Sequence, residues 1–311
     1  MNSFKRTEND ISSNEGNTLF ILGNGFDIDL GFHTSYRHFF LSEQFPFVDN
    51  DQLIHDLGHF VYNQGAKEKW YDLENILAEY GREERIISAE KVDGDKEDFK
   101  RLVQGLADYL LTIDLRAPKE ESTAALLLRA ADDPLLPPTV YTFNYTDFEI
   151  ISHALRLGYS KAYHVHGSIN NADFVLGAGE YMRLGPNASY LHKTSNVRYD
   201  SRGILNAISK YDAVIIFGLS LSRVDYQYFE DYFKDVANRR YLDLDRKFIR
   251  IFTYDEQSRQ EILDNLRGMN SGLIKLMGYS DFDIVRTKDD IDYDKVQEVI
   301  NYLSKRAIVG L

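Results

Sequence analysis

The residues able to do chemistry concentrate in a few short segments, each following an apolar run. They are Gly23-Asn24-Gly25-Phe26-Asp27, Asn144-Tyr145-Thr146-Asp147, His166-Gly167-Ser168 and Gly218-Leu219-Ser220-Leu221-Ser222-Arg223-Val224-Asp225. Glycines in such a turn let backbone N–H groups approach a phosphate, because a Cβ would hold the ligand away and the turn often demands positive φ. Gly23-x-Gly25 is not a full dinucleotide fingerprint, since Ile28 stands where a third glycine would be and no Gly-Lys-Ser/Thr follows. By itself the pair also fits a tight turn after a core strand.

His166, followed by glycine at a strand end, has the type and place of an acid/base group, because an imidazole with a pKa of about 6.5 accepts a proton at neutral pH. His164 lies two positions earlier and shares its strand face, a spacing that also occurs in metal pairs. No third ligand is evident and the chain has no cysteine, so His164 reads as a satisfied core histidine and no metal is expected. Asn144 fits a cap for a helix at Phe148 or a ligand contact. Asp225 fits a cap for a helix at Tyr226 or a partner for ribose hydroxyls.

The elements that must position these residues follow from periodicity. Apolar, β-branched runs predict strands over 18–22, 139–143, 162–166, 173–176, 213–217, 248–253 and 282–285. Helical spacing predicts helices over 148–157, 201–210, 226–236, 256–266 and 293–303, and a short one capped by Thr34 or Ser35. Strands alternating with helices imply an α/β fold with a doubly wound parallel sheet, whose ligands sit outside the carboxyl ends of the strands. Residues 51–131 carry helical stripes without a strand and read as a helical insertion after the first strand. Within it, Lys91 to Lys100 reads as a solvated loop and helix start. In Trp70-Tyr71-Asp72-Leu73-Glu74, Trp70 and Leu73 read as core, while Asp72 and Glu74 face solvent unless the insertion leans over the cleft. Residues 1–17 read as a polar tail and 18–311 as one domain.

Bulk composition narrows the classes. With 36 basic against 49 acidic residues and a net charge of −13, the summed field repels polyanions, so neither nucleic acid nor an anionic membrane is an expected partner. Zero cysteines exclude disulfides, thiolate metal sites and a cysteine nucleophile. No apolar run reaches membrane-span length and the tail lacks a signal-peptide core, so a soluble cytoplasmic protein is expected.

Taken in order, Leu22-Gly23-Asn24-Gly25-Phe26-Asp27, Trp70-Tyr71-Asp72-Leu73-Glu74, Phe143-Asn144-Tyr145-Thr146, His164-Val165-His166-Gly167 and Gly218-Leu219-Ser220-Leu221-Ser222 resemble the abortive-infection AbiH family. That family is itself similar to the sirtuin-like NAD-binding superfamily. The resemblance spans about residues 18–285 and implies a bacterial anti-phage protein on a Rossmann-like fold. It implies NAD as substrate, with Gly23, Asn24, Gly25, Phe26, Asp27, Gly218, Ser220 and Asp225 around the nucleotide. It also implies Asn144 orienting the ribose and His166 acting as base, hence an NAD glycohydrolase releasing nicotinamide and ADP-ribose. The alternative is a nucleotide-binding sensor without turnover. A homo-oligomer or a phage-derived trigger protein are the partners such a system leaves open. Two departures stand out. The four-cysteine zinc module of sirtuin deacylases is missing, which disfavours deacylation, and Asp27 sits where many superfamily loops place serine or arginine.

Overall fold

Thr18–Leu22 forms β1, and every residue of Thr-Leu-Phe-Ile-Leu is buried. A strand covered on both faces needs this unbroken apolar run rather than alternation. Around it, a computed structural model describes residues 18–48, 54–66, 73–82, 88–171, 174–179, 182–196, 199, 202–238, 246–269 and 271–309. The proposed tail and Trp70-Tyr71-Asp72 lie outside the described residues.

The strands after β1 are β2 (Thr139–Thr142), β3 (Tyr163–His164), β4 (Ala213–Phe217), β5 (Phe248–Thr253) and β6 (Asp281–Arg286). They form a six-stranded sheet in the order β3-β2-β1-β4-β5-β6. All pairings are parallel, with β1 aligned to both central neighbours through Phe20↔Val140 and Phe20↔Ile215. The expected parallel α/β sheet is therefore present. The chain winds outward from β1 through β2 to β3, then returns to lay β4 beside β1. That reversal leaves a crevice at the carboxyl ends of β1 and β4.

The α-helices among the described residues begin with α1 (Asn24–Asp29), α2 (Tyr36–Phe40), α3 (Asp56–Gly65), α4 (Leu73–Tyr80), α5 (Val92–Leu111), α6 (Thr123–Ala130), α7 (Phe148–Ala154), α8 (Arg202–Ala207), α9 (Tyr226–Asn238) and α10 (Glu256–Gly268). α11 (Leu273–Tyr279) and α12 (Tyr293–Val309) follow. Alternate residues of β1 enter opposite cores. Leu19 and Ile21 pack with Phe229 and Phe233 of α9, Ile262 and Leu266 of α10 and Leu276 of α11. Phe20 and Leu22 pack with Phe26 of α1, Leu127 and Leu128 of α6, Ile151 of α7 and Val299 of α12. Burying each such side chain contributes about 1.5–3 kcal/mol.

The long connection from β1 to β2 builds a third core, centred on Leu57, Leu77, Leu102 and Leu106 of α3, α4 and α5. Here the charged run departs from expectation. Only Lys91 precedes α5, and Asp95 and Asp98 are fully buried rather than solvated. Both carboxylates satisfy the free amides at the start of α3: Asp98 Oδ2 accepts from His55 and Gly58 N–H at 2.8 Å each, and Asp95 Oδ1 from Leu57 N–H at 3.0 Å.

Other elements differ too. The strand expected over 173–176 is irregular through 174–176, with Asp173 outside the described residues, and the strand expected over 162–166 pairs only at Tyr163–His164. Among the described residues of the two stretches, only His166 borders the crevice. α11 was not expected; its Leu-Ile-Lys-Leu-Met-Gly-Tyr run is short and holds a glycine. No described helix is long and apolar enough to cross a membrane.

Candidate functional site

At the carboxyl edge of the sheet, over the β1–β4 reversal, lies a cavity of about 290 Å³. The β1 loop contributes Asn24, Gly25 and Asp27 to its wall, and the β2 loop Asn144, Tyr145 and Thr146. His166 comes from beyond β3, and Gly218, Ser220, Ser222 and Asp225 from the β4 loop. Thr34 and Tyr36, before and in α2, and Glu74, Leu106 and Leu110, of α4 and α5, close it from the other side. Glu74 is thus not solvent-facing: α4 leans over the cleft, and Glu74 is 7% exposed.

Asp27 is the hub. Its carboxyl is 1% exposed, with Asn144 Nδ2 donating to Oδ1 at 2.8 Å and Thr146 Oγ1 donating to Oδ2 at 2.8 Å. Burial pushes its pKa up to about 7, against the opposing pull of the Thr146 and Asn144 hydrogen bonds. No described lysine or arginine pairs with it. The second amide hydrogen of Asn144 goes to the Gly23 carbonyl at 3.0 Å. Asn144 does not cap the following helix; Asp147 does, accepting from Glu149 N–H at 2.8 Å.

The glycines of the first loop are explained largely by the protein itself. Gly25 N–H donates to the Gly218 carbonyl and Gly23 N–H to the Phe217 carbonyl, each at 2.9 Å. A Cβ on Gly25 would stand 2.6 Å from Gly218 Cα, and Gly218 adopts φ +68°. The two loops at the reversal interlock so closely that neither can carry a side chain there. Phe26 N–H is also engaged, by the Gly23 carbonyl at 2.9 Å. Gly23 and Phe26 do not line the cavity, and Phe26 packs in the core with its ring edge-on to Phe217. Asn24 does line it, with its Oδ1 accepting from Thr34 Oγ1 at 2.6 Å.

His166 is 4% exposed. Its Nε2 lies 3.1 Å from Tyr228 Oη and 3.1 Å from Lys193 Nζ. A lysine ammonium only donates, so the ring must offer it an unprotonated nitrogen. Burial, reinforced by the Lys193 charge, holds the His166 pKa well below the ordinary value of 6.5. The imidazole is therefore neutral, with Lys193 Nζ 3.1 Å from Nε2 and 3.4 Å from Nδ1. Lys193 in turn forms a buried ion pair with Glu74, Nζ to Oε2 at 2.7 Å. Tyr145 Oη donates to the other Glu74 oxygen at 3.4 Å.

At the fourth strand end, Asp225 is chiefly a cap: its Oδ2 accepts from Ser222 N–H at 3.1 Å. It still borders the cavity, as do Ser220 and Ser222. His164 Nδ1 lies 3.2 Å from the Asn144 carbonyl, so it braces the β2 loop. Among the described residues, no group of three or more His, Asp or Glu side chains could hold a metal ion.

Residues 19–242 match the family model described as bacteriophage abortive infection AbiH. The chain belongs to the AbiH family. A comparison with curated proteins finds no match. In this AbiH-family chain, the first-loop, Asn144, His166 and β4-loop segments do converge on one edge. Lys193 was missed, since it lies among Gly, Asn, Ser and Tyr in a segment that reads as a loop. Its burial follows from the pairing of that segment with Ala178, whose carbonyl accepts from Lys193 N–H at 3.0 Å. Glu74 was signalled only within the Trp70–Glu74 segment, as facing solvent unless the insertion leans over the cleft, and in this AbiH-family site it lines the cavity.

Proposed function

We propose that this protein acts in abortive infection by hydrolysing NAD to nicotinamide and ADP-ribose, on a sirtuin-like variant of the dinucleotide-binding fold. The family description supports the anti-phage role. The strand order β3-β2-β1-β4-β5-β6 is the one doubly wound dinucleotide-binding sheets use, and the cavity lies at its switch point. The observation that carries the reading is the convergence of Asp27, Asn144 and His166, from three separate strand ends, on that cavity.

The cavity suits the nicotinamide-ribosyl end of NAD. Its described lining includes Asp27, Glu74 and Asp225 but no lysine or arginine, a surface better matched to a pyridinium cation than to a pyrophosphate. Its volume is at the small end for ligand pockets, so the adenosine half extends over the rim. With the Gly23, Gly25 and Phe26 amides engaged, phosphate contacts fall to Asn24, Ser220 and Ser222. Asn144 has spent both amide hydrogens, and its Oδ1 accepts from a ribose hydroxyl or the attacking water. His166 forms a neutral polar wall beside it.

The test is nicotinamide release from NAD by the purified protein, with Asn144→Ala as control. Release that Asn144→Ala abolishes supports the reading. Thermal stabilisation by NAD or ADP-ribose without any nicotinamide released would assign the site to a nucleotide sensor instead.

A further inference from the structure

We infer that Asp27, and not His166, is the group that takes the proton from the attacking water, an inference that rests on the glycohydrolase reading above. Two titratable side chains, one from the β1 loop and one from beyond β3, border the same cavity, and burial shifts their pKa values in opposite directions, Asp27 upward and His166 downward. Environments that drive two groups apart in this way assign the acid/base roles.

His166 is boxed in. Tyr228 Oη and Lys193 Nζ both lie 3.1 Å from Nε2, and protonating the ring would set an imidazolium against an ammonium. Asp27 has no such obstacle. Its neighbours are the Asn144 amide and the Thr146 hydroxyl, each 2.8 Å away, and both only orient the carboxyl. The other titratable groups on the cavity wall are Tyr36, Glu74, Tyr145, His166 and Asp225. Glu74 is tied to Lys193 and Asp225 caps its own turn, so neither is free to accept a proton. On its own helix the nearest acid, Asp29, points away to accept from Ala124 N–H at 2.8 Å. A proton acceptor works best with a pKa near the working pH, and burial brings Asp27 to about 7.

The step balances without any further reactant. The C1′–N bond breaks and its electron pair neutralises the pyridinium nitrogen, releasing nicotinamide. The water oxygen bonds C1′, and its proton moves to an Asp27 carboxylate oxygen and then to solvent. Asn144 fixes that carboxylate relative to the ribose and is itself never protonated. A cationic substrate beside Asp27 also favours the ionised form that the step needs.

The experiment is the pH profile of nicotinamide release by the full-length chain between pH 5 and 9, with ADP-ribose binding measured in parallel. The wild type should show kcat/KM rising with pH and levelling above about pH 7, and kcat levelling at a lower pH because the bound cation favours the ionised Asp27. Asp27→Asn should lower kcat by about 10²–10⁴-fold with KM within about threefold, and remove the acid limb. Thr146→Val, which deletes a hydrogen bond favouring the carboxylate, should move the limb to higher pH. That shift also decides the matter if Asp27→Asn proves unfolded, since a bystander carboxyl would leave the limb in place. His166→Gln should keep the limb. A limb that survives Asp27→Asn and vanishes in His166→Gln overturns the inference while leaving the glycohydrolase reading intact. ADP-ribose binding with no nicotinamide released at any pH overturns both.

Discussion

Asn144 and Asp27 stand 117 residues apart, yet the Asn144 amide joins the Asp27 carboxyl to the Gly23 carbonyl, at 2.8 and 3.0 Å. One side chain from the β2 loop thereby locks both ends of the β1 loop. It ties the shape of the cavity to the charge on its most buried acid.

Asn144→Ala is therefore expected to do more than abolish activity. It leaves one Asp27 oxygen buried without a donor and the Gly23 carbonyl with Phe26 N–H alone, at a cost of about 1–3 kcal/mol. Chemical denaturation, read as the shift in midpoint at constant slope, checks this.

Asp27 makes stability depend on pH. Its folded pKa of about 7 exceeds the ordinary 3.8, so the folded chain holds a proton that the unfolded chain releases. The stabilisation is fully present below pH 3.8 and is lost as pH rises through about 7. Asp27→Asn should thus gain on the wild type between pH 4 and 7, by at most about 1.4 kcal/mol per pH unit, and hold that gain above pH 7. Melting curves of the two proteins at pH 5 and pH 8 test the sign.

The interlocked loops predict opposite outcomes for two glycines. Gly25→Ala drives a Cβ to 2.6 Å from Gly218 Cα, and backbone must shift, so a loss of about 1–3 kcal/mol and disruption of the cavity are expected. Gly278, in α11, has nothing within 4 Å of its Cβ position. Gly278→Ala should stabilise by about 0.5–1 kcal/mol. Thermal melts of the pair, made side by side, separate crowding from a general effect of alanine.

The Glu74–Lys193 pair should behave as a unit. Lys193→Met strands a carboxylate that is almost wholly buried, costing about 3–5 kcal/mol, whereas Lys193→Met with Glu74→Leu should recover most of the loss. Removing Lys193 also lifts one of the two causes that lower the His166 pKa. An upward shift of the His166 titration, followed by NMR of its ring, reports that effect apart from stability.

What the sequence determined by itself is the six strands of the sheet, with one stretch over 173–176 read as a strand in excess, and the polar residues that end them. Parallel strands buried on both faces need unbroken apolar runs, as in Ala213–Phe217, and such runs can be read one at a time. Asn144 and the β4 loop were legible because each follows such a run directly, and His166 because it precedes a glycine just past a short edge strand. Tertiary structure alone decided what those residues do to one another. Whether the Gly23 and Gly25 amides are free for a phosphate depends on β4 lying beside β1, since it is the Phe217 and Gly218 carbonyls that accept them. Whether His166 is a base depends on Lys193, and whether Lys193 is buried depends on Glu74, 119 positions away. Charge and desolvation act through space, so the state of a titratable group is fixed by neighbours that no local pattern names.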